Sequence, residues 1–305
     1  MDLVKKVYIN LIVALFKVKV GDGMEGRKKI SDKNFKAIQD LVYDNIGVNL
    51  TEKKRALVIS RLSKRLRELG INNFGSYIEY LKENEAELEV MFNLITTNVT
   101  RFFREQHHFD YLKEKYFPCV LKEAKKNNRP KKLRIWSSAC STGEEPYSLA
   151  ILAHNFFEDK DWEIEILASD INTEVLKIAQ KGIYIKEKVK KIPYELLKKY
   201  FRLGTGDNQG LFKVKKKLQK LIKFRQLNLT AKKPYPIEKP LDIIFCRNVF
   251  IYFNKQTQNY ILDKFYNNLI DSGLLFMGHS EKIDIINRQQ KKWKMLEPTI
   301  YQRAD

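Results

Sequence analysis

The sequence predicts a two-part chain, a parallel, doubly wound α/β domain preceded by a small all-helical domain. Three observations predict it. Apolar residues recur at helical spacing from Ser31 to Ile95, short apolar runs alternate with helical stretches from Leu133 onward, and polar residues cluster where those runs end. A length of 305 residues suits one α/β unit with a smaller companion.

Composition excludes several classes. Hydrophobic residues make up 44% of the chain and aromatics 12%, enough for a sizeable core and too much for a disordered chain. Cys119, Cys140 and Cys246 lie far apart with no paired spacing. They fit neither a disulfide framework nor a zinc site, so a reducing, cytoplasmic setting and no metal are expected. The formal charge of +20 would attract nucleic acid, phospholipid or acidic protein helices, and a lysine-rich composition decorating every exposed face accounts for it equally well. Lys5 and Lys6 precede an apolar stretch, Val7 to Phe16, too short to span a bilayer. The segment before Met24 reads as an extended start or a weak amphipathic anchor, so residues 1–30 form an N-terminal extension of unassigned role.

Residues 31–112 are predicted as the helical domain. Ser31 or Asp32 caps a first helix carrying Phe35, Ile38, Leu41 and Val42, and Gly47 closes it. A second helix is predicted from Thr51 to Leu69, with an apolar stripe of Ala56, Ile59, Leu62, Leu66 and Leu69 and an outer face of Lys54, Arg61, Lys64 and Arg65. Two more helices follow, around Phe74 to Leu81 and Glu85 to Ile95, and Lys113 to Lys132 reads as the domain connection. The α/β domain, residues 133–305, has predicted strands at Leu133–Ser138, Glu163–Ser169, Ile222–Leu227, Leu241–Cys246 and Leu274–Gly278. A last strand, Thr299–Gln302, follows a hairpin turn at Glu297 and Pro298. Residues 183–221, with Gly204, Gly206 and Gly210 among β-compatible residues, are too long for a simple crossover and predict an inserted β-subdomain.

The chemistry concentrates at strand ends. The first strand runs into Ser137-Ser138-Ala139-Cys140-Ser141-Thr142-Gly143-Glu144-Glu145-Pro146, a tight small-residue loop opening a helix. Backbone approaches a ligand closely in such turns, but this one lacks the repeated glycines of a dinucleotide loop and carries two acids that would repel a pyrophosphate. A cationic or neutral ligand suits it, and S-adenosyl-L-methionine, with a sulfonium, an ammonium and no phosphate, fits. Acids that only favour the helix dipole would look the same. Asp170 ends the second strand at the interval where Rossmann-like folds place an acid on ribose hydroxyls, and a helix-capping Asp is the alternative. Asn228 follows the third strand and Arg247-Asn248 the fourth, so polar strand ends converge on one crevice. At the end of the helical domain, Thr96-Thr97-Asn98-Val99-Thr100-Arg101-Phe102-Phe103-Arg104-Glu105 reads either as an interdomain packing segment or as part of that crevice.

Together, Thr97 to Glu105, Ser141 to Ser148, Ala168-Ser169-Asp170-Ile171, Phe245 to Phe253 and Gly278-His279-Ser280-Glu281 resemble, in order and spacing, the chemotaxis receptor methyltransferase family CheR, over about Ser31 to Arg303. The resemblance implies a Rossmann-like class I methyltransferase domain that binds S-adenosyl-L-methionine and releases S-adenosyl-L-homocysteine after esterifying glutamate side chains on bacterial chemotaxis receptors. It implies that Asn98, Thr100 and Arg104 face the cofactor from the helical side, while Glu145, Asp170, Asn228, Leu229, Arg247 and Asn248 hold it from the sheet. Arg104 and Tyr252 would stand nearest the transferred methyl. It further implies a cytoplasmic monomer, peripheral to the membrane through receptor cytoplasmic domains, whose inserted β-subdomain captures a receptor's C-terminal tail peptide and whose basic second helix docks along receptor helices.

A glutamate is ionised at neutral pH, with a pKa of about 4.3, so His107, His108 and His279 are read as structural rather than as bases or ligands. Two readings compete. A nucleic-acid methyltransferase suits the charge, but the Asp- or Asn-Pro-Pro-aromatic loop common after the fourth strand is replaced by Cys246-Arg247-Asn248-Val249. A non-catalytic scaffold would bind the cofactor without turnover.

Overall fold

The computed structural model describes residues 29–283 and 292–304; the extension before residue 29, with its Val7 to Phe16 stretch, lies outside them. Helix α1 (Asp32–Ile46) starts at Ser31, whose side chain accepts from the Asn34 N–H, and stops at Gly47, which takes the left-handed φ of 68°. Its buried face, Phe35, Ile38, Val42 and Ile46, follows the helical repeat. A 3-10 turn (Glu52–Lys54) leads into α2 (Arg55–Glu68), followed by α3 (Phe74–Glu83) and α4 (Glu85–Ile95). α1 packs on α3 and α2 on α4, enclosing a core of their own.

The second helix corrects its predicted faces. Val58, Leu62 and Leu66 are buried, whereas Ala56 is exposed. Two of the residues assigned to the outer basic face are turned inward. Arg65 grips the buried Glu87 at 2.9 and 2.7 Å, and Glu87 also accepts from the Tyr77 hydroxyl. Arg61 donates to the carbonyls of Leu94, Ile95 and Thr96 at 3.0, 2.6 and 2.8 Å, satisfying acceptors that the end of α4 leaves open. Periodicity identifies which residues share a face; which face a neighbouring helix covers is set by packing. Burial pushes the Arg61 pKa down, yet the group stays cationic. Replacing Arg61 with Met should lower unfolding free energy by about 2 kcal/mol, the scale of losing charged hydrogen bonds to buried carbonyls. Denaturant unfolding checks this; unchanged stability would return Arg61 to the surface role.

The stretch read as a connection is largely helical and belongs to the main core. A helix α5 (Gln106–Tyr111) widens into a π turn (Leu112–Tyr116) and continues as α6 (Phe117–Lys125), burying Leu112, Phe117, Val120 and Ala124. Arg129 then pairs with the buried Asp242 at 2.6 Å. Its polar letters, Asn127-Asn128-Arg129-Pro130, mark a turn rather than a free linker.

In chain order the remaining elements are β1 (Lys132–Ser138), α7 (Glu144–Phe157), β2 (Glu163–Asp170), α8 (Thr173–Lys181), β3 (Ile183–Ile185), α9 (Lys186–Val189), α10 (Tyr194–Tyr200), β4 (Phe201–Leu203), β5 (Leu211–Val214), α11 (Lys216–Gln219), β6 (Ile222–Gln226), β7 (Leu241–Cys246), α12 (Lys255–Asn268), β8 (Leu269–Met277), β9 (Trp293–Glu297) and β10 (Ile300–Arg303). The main sheet has the order β6-β2-β1-β7-β8-β10-β9; its first five strands are parallel, and β10 runs antiparallel to both of its neighbours, β8 and β9. The chain fills one side of β1 with β2 and β6, then the other with β7 and β8, so the topological switch lies between β1 and β7. Alternate residues feed two cores: Ile135, Ile243, Phe245 and Phe276 face one, Trp136, Ile244, Cys246 and Met277 the other. β8 begins earlier than predicted, because Asp271-Ser272-Gly273 reads as a turn but forms an irregularity in its pairing with β7. The inserted segment folds as predicted into its own antiparallel sheet, β3-β5-β4.

Candidate active site

The carboxyl ends of β1, β2 and β7 open onto one pocket, roofed by the helical domain. Its lining includes Asn98, Thr100, Arg104, Glu145, Asp170, Asn228, Leu229, Arg247, Asn248 and Tyr252, which brings the expected cofactor and catalytic residues to one place, whereas Glu144, the other acid of the first loop, turns away to Lys188. The roof is stapled down at several points. Asn49 N–H donates to the Tyr252 carbonyl at 2.8 Å, Asn228 Nδ2 to the Asn45 carbonyl at 2.6 Å, and Asn172 Nδ2 to Asn93 O and Thr96 Oγ1 at 3.0 and 2.7 Å. Gly47 sits where a Cβ would fall 2.3 Å from Thr230 Cγ2, so glycine is needed here for close approach as well as for its φ.

Asp170 forms the pocket's acidic floor. Its oxygens accept from the Ser141 and Asn172 N–H groups at 2.8 and 2.9 Å, which locks the carboxylate in place. Burial raises its pKa, opposed by the Asn172, Ser141 and Ile171 N–H groups. The cap of α8 is not Asp170 but Asn172, whose Oδ1 accepts from Glu174 and Val175 N–H.

Glu145, in the first turn of α7, accepts from Ser137 Oγ at 2.7 Å and from Arg247 Nε at 2.8 Å. The Arg247 side chain is only 2% exposed. Its Nη1 donates to the Arg104 carbonyl and to His108 Nδ1, the latter at 3.1 Å. The second His108 nitrogen therefore carries the proton and faces Thr299 Oγ1 at 2.8 Å. Desolvation, then the Arg247 charge, hold the His108 pKa down at about 2, so the ring is a neutral acceptor. His108 thus acts as packing for Arg247, while the His279 N–H donates to Glu105.

Asn248 leaves β7 at a positive φ of 59°. Glu281 holds that turn, accepting from Asn248, Gly278 and Phe250 N–H at 2.8, 2.6 and 2.7 Å. A Cβ at Gly278 would lie 2.5 Å from Asn248 Nδ2, which gives the Gly278-to-Glu281 motif its physical reason. Phe103, Glu105, Ala139 and Ser141 also take positive φ, a strain of order 1–2 kcal/mol each that clusters on this pocket and is offset by buried hydrogen bonds.

Reading the sequence missed three contributors. Glu105 bridges Arg247, Asn248 and His279; Glu281 sets the β7 loop; and Lys54, assigned to the outer face of its helix, lines the pocket with its Nζ 5.8 Å from the Tyr252 ring. Only the motif spellings containing Glu105 and Glu281 signalled the first two; a lone lysine before a helix carries no such mark. Asn228 is already engaged, with Nδ2 on Asn45 and Oδ1 on Thr230, and Arg104 Nη1 donates to the Val99 carbonyl at 2.8 Å. The pocket therefore combines the buried Asp170 and a buried ion pair of Glu145 with Arg247 with the partly buried cations Lys54 and Arg104, an arrangement that can take a cationic ligand at Asp170 and an anionic one beside Lys54 and Arg104.

Residues 33–96 match the all-alpha domain of CheR methyltransferases, and residues 98–300 match their SAM-binding domain. The chain is 41% identical over 268 residues to the chemotaxis protein methyltransferase of Escherichia coli strain K12, covering 87% of this chain and 90% of that protein. It is 42% identical over 249 residues to chemotaxis protein methyltransferase 2 of Pseudomonas aeruginosa, covering 82% and 86%, and 39% identical over 267 residues to the chemotaxis protein methyltransferase of Borreliella burgdorferi, covering 86% and 91%. A helical roof closed over a strand-end pocket, together with these matches across both domains, makes the chain a member of the CheR methyltransferase family, with that family's S-adenosylmethionine-binding domain.

Proposed function

We propose that this protein transfers a methyl group from S-adenosyl-L-methionine to glutamate side chains of bacterial chemotaxis receptors, forming methyl esters and S-adenosyl-L-homocysteine. The observation that carries it is the division of charge in one pocket: Asp170 buried at the end of β2 and Glu145 buried in the first turn of α7, with Lys54 and Arg104 only partly buried. When bound, S-adenosylmethionine supplies a methyl carbon activated by the neighbouring sulfonium. Asp170, held still by backbone N–H groups, keeps acceptor capacity for a ribose hydroxyl. Glu145, its charge balanced by Arg247, offers carboxylate acceptors toward the cofactor, and Asn98, Thr100, Asn228, Leu229 and Asn248 shape the walls. Arg247 acts indirectly, by fixing Glu145 and the Arg104 backbone.

The incoming glutamate is already an anion, so the residues need not move a proton. Arg104 and Tyr252 orient the carboxylate in line with the methyl, and alignment of this kind supplies roughly 7–11 kcal/mol of barrier reduction. Lys54, beside Tyr252, favours entry of an acid over a neutral amide. On this reading the protein works in the cytoplasm, as a monomer acting on the receptors' cytoplasmic domains. No helix among the described residues is long and apolar enough to cross a membrane. The edge strand β4, with Leu203 64% exposed, offers a site for strand addition by a receptor tail peptide.

The test is incubation with methyl-labelled S-adenosylmethionine and receptor-containing membranes, followed by mild base. Volatile labelled methanol is expected, because esters hydrolyse and methylated amines do not. Label that survives base on nucleic acid would overturn the proposal, and cofactor binding without any transfer would favour a scaffold.

A further inference from the structure

We propose that Lys188, in the inserted subdomain, is a positioning residue that ties that subdomain to both loops walling the cofactor pocket; the inference rests on the pocket assignment given above. Lys188 lies on the short helix α9, outside the pocket lining. Its Nζ lies 2.7 Å from Glu144 Oε1, and the Glu144 side chain is 0% exposed. The same Nζ is 3.3 Å from the Thr100 carbonyl. Glu144 begins α7 and also accepts from Thr142 Oγ1 at 2.6 Å, so it governs the loop between Ala139 and Glu145. Thr100 belongs to the other loop, between Asn98 and Arg104.

Neighbouring contacts make the same bridge. Tyr184 of β3 donates its hydroxyl to the Thr142 carbonyl at 2.8 Å and packs edge-on against Phe102 at 5.0 Å. The two loops touch each other through Ser141 Oγ and the Asn98 carbonyl, 3.1 Å apart. A single ammonium with several donors reaches a buried carboxylate and a carbonyl on opposite loops, and the carboxylate without it would be a buried charge with one hydroxyl for company. The insertion is therefore mechanically part of the pocket.

The experiment measures S-adenosyl-L-homocysteine affinity of the full chain by calorimetry, with thermal unfolding alongside. Lys188→Met should weaken binding about tenfold, the scale expected when a supporting contact lets pocket groups drift by a fraction of an ångström. Lys188→Arg, which can still reach both partners, should stay within about threefold of the parent. The double variant Lys188→Met with Glu144→Gln removes both charges of the pair, so it should regain thermal stability lost by the single variant while its affinity stays low, because Thr100 remains untethered. Parent-like affinity in Lys188→Met, or full recovery of affinity in the double variant, would overturn the proposal. A parent protein that fails to bind S-adenosyl-L-homocysteine would instead overturn the function proposed for the pocket, and this inference with it.

Discussion

Replacing Arg247 with Met should cost about 3–5 kcal/mol of folding free energy, the largest stability effect expected of any pocket substitution. The guanidinium is 2% exposed and joins Glu145, Glu105, the Arg104 carbonyl and His108. Removing it strands the Glu145 carboxylate, its side chain 10% exposed, with only Ser137 as partner. Combining Arg247→Met with Glu145→Gln removes the stranded charge and should return a good part of the lost stability. Affinity for S-adenosyl-L-homocysteine should not return, since the Arg104 segment loses its anchor in both variants. Denaturant titrations with an unchanged m-value would report this as a difference in stability alone. A loss below about 1 kcal/mol in the single variant would show that Glu145 finds other partners.

Replacing Arg104 with Ala should slow turnover roughly a hundredfold, the penalty expected when a reacting group is misplaced by about an ångström. The side chain is 29% exposed and lines the pocket, with Nη1 committed to the Val99 carbonyl. That leaves the other face of the guanidinium to steer a substrate carboxylate without the tight bidentate pairing that would weaken a nucleophile. Binding of S-adenosyl-L-homocysteine should change less, by about threefold, because Asp170 and Glu145 are held by other groups. Receptor methylation rates measured at saturating cofactor, set against calorimetric affinity, separate the two. Near-normal turnover would remove Arg104 from the chemistry.

Local chemistry made much of the fold legible. Ser31 capping α1, Gly47 ending it, and the runs Leu133–Ser138 and Leu241–Cys246 appear in the structure as strand or helix features because caps, positive-φ turns and doubly buried strands leave marks in adjacent residues. β9 is not among the predicted strands, since Trp293-Lys294-Met295-Leu296-Glu297 has one well-buried residue and a mixed pattern. The strand-end polar residues converged as expected because parallel sheets bring carboxyl ends together whatever loops follow.

Taken alone, the chain's own residues determined most of the strands and helices, their order, the inserted subdomain and the expected cofactor residues that meet in the pocket. Tertiary structure alone decided how those side chains are employed. It turned Arg61 and Arg65 inward and Lys54 toward the pocket, made Asn172 rather than Asp170 the cap of α8, and drew Lys113–Lys125 into the core. The physical reason is reach. Secondary structure is written in neighbours two to four positions apart, whereas Arg247 meets His108 across 139 positions and Lys188 meets Glu144 across 44, and a hydrogen bond between such partners exists only once the sheet has closed beneath them.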